Sequence, residues 1–193
     1  MKFASLLLLS LLSCTTYYAG VKAPAEDSKL LQIAYRKPPL LIPKVNGVSY
    51  GFLLNPIFFT QPGRNDLDVL YSVVTGANSS IGSRETIPVS VEGAGGTSIV
   101  VCDQTAPDMS SFSVHFYSVP FHLTDDHEGK RLLDAACEVF DWVTAGRNLD
   151  VARALKWGLP LSMRSHRGAT LADHIRKQAQ EKKNPDLLRL IEK

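Results

Sequence analysis

The hydrophobic period of this chain changes once, near residue 128, and that change limits the folds open to it. From about Leu30 to Leu123 the apolar residues fall in short or alternating runs broken by Pro, Gly, Asn and Ser, the pattern of strands bounded by turns. Candidate strands cover 30–35, 40–45, 50–54, 69–74, 86–91, 97–102 and 111–119, each rich in β-branched or aromatic residues. Turn formers separate them at Asn46-Gly47, Gln61-Pro62-Gly63, Thr75-Gly76-Ala77-Asn78 and Gly93-Ala94-Gly95-Gly96, the last expected to be a hairpin turn. Beyond residue 128, Leu132, Leu133, Ala136, Cys137, Phe140 and Val143 recur at helical spacing and predict a helix from Lys130 to Thr144 closed by Gly146. Asn148 is expected to cap a second helix with Leu149, Ala152 and Leu155 facing inward and Gly158 ending it. Thr170, with Asp173 three residues on, predicts a capped third helix, and Asn184-Pro185 opens a fourth. The expectation is an α+β fold: an antiparallel sheet or sandwich over 30–124, with the helical hairpins of 125–193 packed on it.

The N-terminus precedes this fold. After Lys2, Phe3 to Leu12 form an apolar run of about ten residues, half of the roughly 20 that a transmembrane helix needs, and it fits an export signal. The run ends in Leu11-Leu12-Ser13-Cys14, which resembles the lipobox of bacterial lipoproteins, with Leu12 larger than the residue usual there. The resemblance implies removal of residues 1–13, acylation of Cys14, and a polar tether over 14–29. It places the chain in the periplasm, anchored by lipid, and because Thr15 is not aspartate it points to the outer membrane. With Cys14 acylated, Cys102 and Cys137 are left. They either form a disulfide, which an oxidising periplasm permits, or remain as buried free thiols.

Charge narrows the partners. With 21 basic and 19 acidic side chains the formal net charge is +2, so no long-range field favours nucleic acid. His115, His122 and His127 lie near Asp103, Asp108, Asp125 and Asp126, but their spacing matches no tight ligand signature. Thr124 or Asp125, just ahead of the helix that follows, is explained by N-capping, and Asp126 and Glu128 by the helix dipole. Gly93-Ala94-Gly95-Gly96 is not followed by Lys-Ser/Thr, so it lacks the means to cradle phosphate. No ordered nucleophile and base occur either. No metal, cofactor or catalytic centre is therefore expected; an enzyme would need an unfamiliar site built from His115, His122, Asp125 and His127.

Residues 146–158 resemble the second helix of an ankyrin repeat, and Arg167-Gly168-Ala169-Thr170-Leu171 the finger running into the next repeat, with Thr170-Leu171-Ala172-Asp173 where the family has Thr-Pro-Leu-His. The resemblance covers the last third of the chain and implies an ankyrin-like cap that recognises a protein partner through an extended finger over Leu159 to Ala169. The contact residues it implies are Trp157, Leu159, Pro160, Leu161, Met163, Arg164, His166 and Arg167. Small periplasmic lipoproteins of this build resemble immunity proteins, which implies a toxic effector enzyme as partner, such as a lipase delivered by type VI secretion, blocked sterically. The alternative is a scaffold lipoprotein of the cell envelope or of a secretion apparatus.

Overall fold

The computed structural model describes residues 16–22, 26–36, 39–51, 54–75, 80–105 and 112–192. The expected leader over residues 1–13 and Cys14 lie outside the described residues. Strand β2 (Leu31–Tyr35) explains the layering, because all five of its residues are buried. A strand covered on both faces must lie between two other layers. Leu31, Ile33 and Tyr35 point into one apolar cluster and Ala34 into another. Gln32, buried on the Ala34 side, is held at both ends of its amide: it donates to the Leu123 carbonyl (3.0 Å) and accepts from the Leu123 amide (2.7 Å) and the Ser98 hydroxyl (2.6 Å). These bonds offset the cost of burying its amide.

Among the described residues there are ten strands in two sheets and four α-helices. The central sheet takes β2 with β1 (Thr16–Tyr18), β5 (Leu54–Thr60), β8 (Ser98–Thr105), β9 (Phe112–Val119) and β10 (Arg164–Ser165), in the order β1-β5-β2-β8-β9-β10. The outer sheet takes β3 (Leu40–Val45), β4 (Val48–Ser49), β6 (Gly63–Thr75) and β7 (Ser80–Gly93), in the order β4-β3-β6-β7. Leu40, Ile42, Leu67, Val69 and Val91 of the outer sheet meet Leu31, Ile33, Phe58, Ile99 and Val101 of the central one. On the other face of the central sheet helix α1 (His127–Ala145) packs against β8 and β9, with α2 (Asn148–Lys156) and α3 (Leu171–Glu181) against α1 and α4 (Pro185–Leu188) against α3.

The α+β class is observed, but the central sheet is mixed rather than antiparallel: β1 runs parallel to β5, and β2 to β8. The chain leaves the central sheet after β5, crosses to the outer sheet for β6 and β7, and returns to enter β8 at the end where β2 begins, so the two lie parallel. The glycine-rich segment 93–96 is accordingly a passage between sheets and not a hairpin turn. A Cβ on Gly93 would strike the Leu31 side chain, and one on Gly95 the Lys29 carbonyl. Asn46 and Gly47 do form a tight hairpin, both at positive φ (49° and 79°), between β3 and β4. The strand expected over 50–54 lies instead over Leu54–Thr60. Residues 16–29, expected within a loose tether, contribute β1 and a 3-10 turn over Asp27–Lys29, with Ala19 buried and Tyr18 stacked on Phe59.

The helix boundaries follow their caps. The Asp126 carboxylate accepts from the Gly129 amide (2.8 Å), and Gly146 closes α1 at φ 73°. Thr170 accepts from the Asp173 amide (3.1 Å), and Asn184 from the Leu187 amide (3.3 Å). Helix α2 differs from expectation. Asn148 is its first residue and not its cap, and pairs sideways with Asn184 (3.3 Å). Val151 and Ala154 are its buried residues, whereas Leu149 is 75% exposed. The stripe is rotated because Val151 and Ala154, three apart, are the pair that the α1 side of the helix can accept in close packing.

Candidate functional site

The segment expected to project as a finger is folded back. Ser165 pairs with Tyr117 and Arg164 with Ser118 as the last strand of the central sheet. Arg164 also bridges to Thr170, and the Gly168 amide returns to the Ser165 carbonyl (2.8 Å). The Leu171 amide donates to the Met163 carbonyl (2.8 Å) and that of Ala172 to the Leu161 carbonyl (3.1 Å). This small hairpin covers the open edge of β9 and corrects two expected contact residues. Leu159 and Met163 are 3% and 0% exposed, packed into the core beneath the helices, and cannot touch a partner. Leu161 is half-buried against the same core, and Pro160 is partly covered. Arg164, His166 and Arg167 stay at the surface.

His166 and Arg167 reach the mouth of a cleft of about 410 Å³ between β9, α1, α3 and the hairpin. Its floor is the stacked pair Tyr117 and Phe140, with ring centroids 5.1 Å apart. His115 stands on β9 with its ring 5.3 Å from that of His166, which also leans on Phe116. Across the cleft His174 contacts the Phe140 carbonyl (3.2 Å) and the Thr144 hydroxyl (3.0 Å). Asp141, Asp173 and Lys177 add charges of both signs to the lining. Burial, with Asp141 and Glu138 near, pushes the Tyr117 phenol up to about 12.

A second hollow of about 450 Å³ adjoins the cleft through Gln104, His115, Tyr117 and Asp141 and runs to Arg36 and Cys137. Cys137 of α1 is bonded to Cys102 of β8, tying helix to sheet. Arg36 donates to Asp103 (2.8 Å) and to Glu138 (2.8 Å), the residues that follow the two cysteines. Burial works against the Arg36 charge, but the hydrogen bonds to Glu138 and Asp103 outweigh it and hold the guanidinium above its ordinary range.

Trp157 belongs elsewhere. It is 36% exposed and lies under the Arg131 guanidinium (4.9 Å) in a separate hollow shared with Trp142. The histidines proposed for an enzyme site are not brought together: His122 meets Phe59 edge-on and contacts the Leu30 carbonyl (3.1 Å), and His127 lines the tryptophan hollow. His115 instead joins His166 and His174. Among the described residues no three His, Cys, Asp or Glu side chains are grouped to hold a metal ion. Sequence reasoning missed Tyr117, Phe140, Asp141 and His174, because their meeting depends on how α1 and α3 cross β9.

The cleft predicts an acid-sensitive fold. Burial holds the His115 imidazole below its ordinary 6.5, with His166 and Arg167 adding to the effect and Asp141 opposing it. Burial also lowers His174, against the Phe140 carbonyl. The folded protein takes up these protons less readily than the unfolded chain. Stability is therefore full above pH 6.5 and declines as pH falls through the lower folded values. Thermal midpoints read from pH 7.5 to 5 should fall, and His115→Gln should flatten part of the decline; an unchanged slope in that variant rejects the assignment. Comparison with protein-family models, with curated proteins and with solved structures found no match.

Proposed function

We propose that this chain is an exported lipoprotein, acylated on Cys14 and held at the periplasmic face of the outer membrane, whose folded part binds a protein partner. The observation that carries the reading is the Cys102–Cys137 bond. A buried disulfide between sheet and helix belongs to an oxidising compartment, and with two thiols engaged Cys14 is the odd one, at the lipobox-like position. Helix pair, hairpin, then a second helix pair is the order of an ankyrin-like cap, and the ties from Leu171 to Met163 and from Ala172 to Leu161 support that description. In this reading the partner meets the cleft mouth at Arg164, His166 and Arg167 over the aromatic floor, with Trp157 as a separate anchor.

The partner class that fits is a toxic effector enzyme, such as a phospholipase delivered by type VI secretion, neutralised by steric cover as immunity proteins do. The neighbouring gene should then encode a toxin that acts in the periplasm and that co-expression of this chain silences. Arg167→Glu is expected to weaken the complex at least tenfold, about 1.4 kcal/mol. A harmless neighbour that the purified chain does not bind removes the immunity reading. An unmodified Cys14 thiol on an uncleaved chain in the cytosol removes the lipoprotein reading as well.

A further inference from the structure

We infer that the folded part lies flush on the bilayer, with the paired arm of β6 and β7 directed into the lipid headgroups. The inference rests on the lipoprotein reading and names the surface that faces the membrane. Strand β1 begins at Thr16, two residues after Cys14. An extended chain gains at most about 3.6 Å per residue, so the acylated residue stands within about 7 Å of the sheet. The interfacial layer on each side of a bilayer is itself roughly 5–8 Å deep. No slack tether is left, and the end of the central sheet at Thr16 must meet the headgroups.

The neighbours of that end are fixed by register. Thr16 lies opposite Leu54, and β2 runs antiparallel to β5, so Tyr35 and Arg36 share the end. The Leu40 amide donates to the Arg36 carbonyl (3.1 Å), which starts β3 there, and Leu40 pairs with Tyr71. Beyond Tyr71, β6 and β7 continue to pair with each other from Ser72 and Ser83 to Thr75 and Ser80, with no third strand among the described residues. Four residues at about 3.3 Å each carry this ribbon roughly 13 Å past the end where the lipid is attached. Positions 72–75 and 80–83 include no charged side chain, in a chain that is 21% charged, and the one charge beyond the Tyr71–Glu85 pair, Arg84, falls at the register shift at the base of the arm. Exposed ribbon edges in water are usually guarded by charge; an uncharged ribbon pointing along the anchor suits a headgroup layer, where lipid and water satisfy its open backbone groups. Tyr17, 44% exposed beside the anchor, is the kind of side chain that settles at such an interface.

The test uses the acylated full chain in phosphatidylethanolamine–phosphatidylglycerol vesicles containing lipids brominated near the top of the acyl chain. Trp142→Phe and Trp157→Phe remove the native signals, and a single reporter is placed on the arm (Val73→Trp, or Ser83→Trp should the first not fold) or at the opposite end (Gln61→Trp). Quenching on the arm is expected to exceed that at position 61 by at least about threefold. Ten Gly/Ser residues inserted after Thr15 should bring it down to the level of position 61. Equal quenching at both ends, in protein whose acylation mass spectrometry verifies, overturns the flush orientation and leaves the lipoprotein reading standing. An arm reporter that responds only when a partner protein is added also overturns it, and an unacylated Cys14 overturns both.

Discussion

Replacing Cys102 and Cys137 together by serine is expected to lower the folding free energy by about 3–4 kcal/mol without dissolving the fold. The bond spans 35 residues, and loop closure over that length is worth about 4 kcal/mol in the chain-entropy account of disulfides. Two serines in a buried site forfeit further apolar contact, since both cysteines belong to the core between sheet and helices. The fold nevertheless has a second fastening at the same place, because Arg36 bridges Asp103 and Glu138 one residue beyond each sulfur. Urea denaturation should show a lower midpoint and a steeper dependence, since the unbridged chain unfolds to a more open state. Reductant should move the native protein toward that curve but short of it, because the two thiols stay in the core. A midpoint unmoved by either treatment would mean that the crosslink contributes nothing to the native fold.

Gly129→Ala is expected to cost about 2–3 kcal/mol, against the usual gain of roughly 1 kcal/mol for that exchange inside a helix. The sign reverses because a Cβ at Gly129 would overlap the backbone carbonyl of Thr124, in the loop leading into α1. Yielding means moving that loop. The same loop carries Asp126, whose carboxylate caps the helix through the Gly129 amide, and Leu123, whose backbone satisfies Gln32. The substitution therefore strains the cap and the buried amide together. In a chain of this size the thermal midpoint should fall by roughly 5–10 °C, and an unchanged or higher midpoint would show that the loop can move freely.

The elements read most clearly in the sequence are those whose signal is local. Thr170 with Asp173, Asn184 with Pro185, and Asn46 with Gly47 each fix their own turn or cap within four residues, and each lies where its pattern indicates. Strand β5 was obscured by Pro56, which breaks the pattern of a paired strand. It is accommodated because it lies beyond the last β2 pair, Ala34 with Ile57, and within the irregular stretch opposite β1. The inward face of α2 was misread because Leu149 is apolar yet lies outside its packing stripe. The finger was misread for a different reason: whether an extended segment projects or docks depends on an open strand edge at β9, some fifty residues away, which no local pattern reports. The cleft was legible only in part. Its rim residues His166 and Arg167 lie in the segment singled out by the ankyrin resemblance, but its floor is created by contact between β9 and α1.

The parallel pairing of β2 with β8 has a temporal side. Gln32 and Ser98 are 66 residues apart, so a chain emerging N-terminus first exposes one full edge of β2 until more than half its length has appeared. Its earliest strands have no finished sheet to join. Such long-range closure makes folding slow; under the export proposed above, that slowness would keep the polypeptide threadable through a narrow pore until β8 has followed.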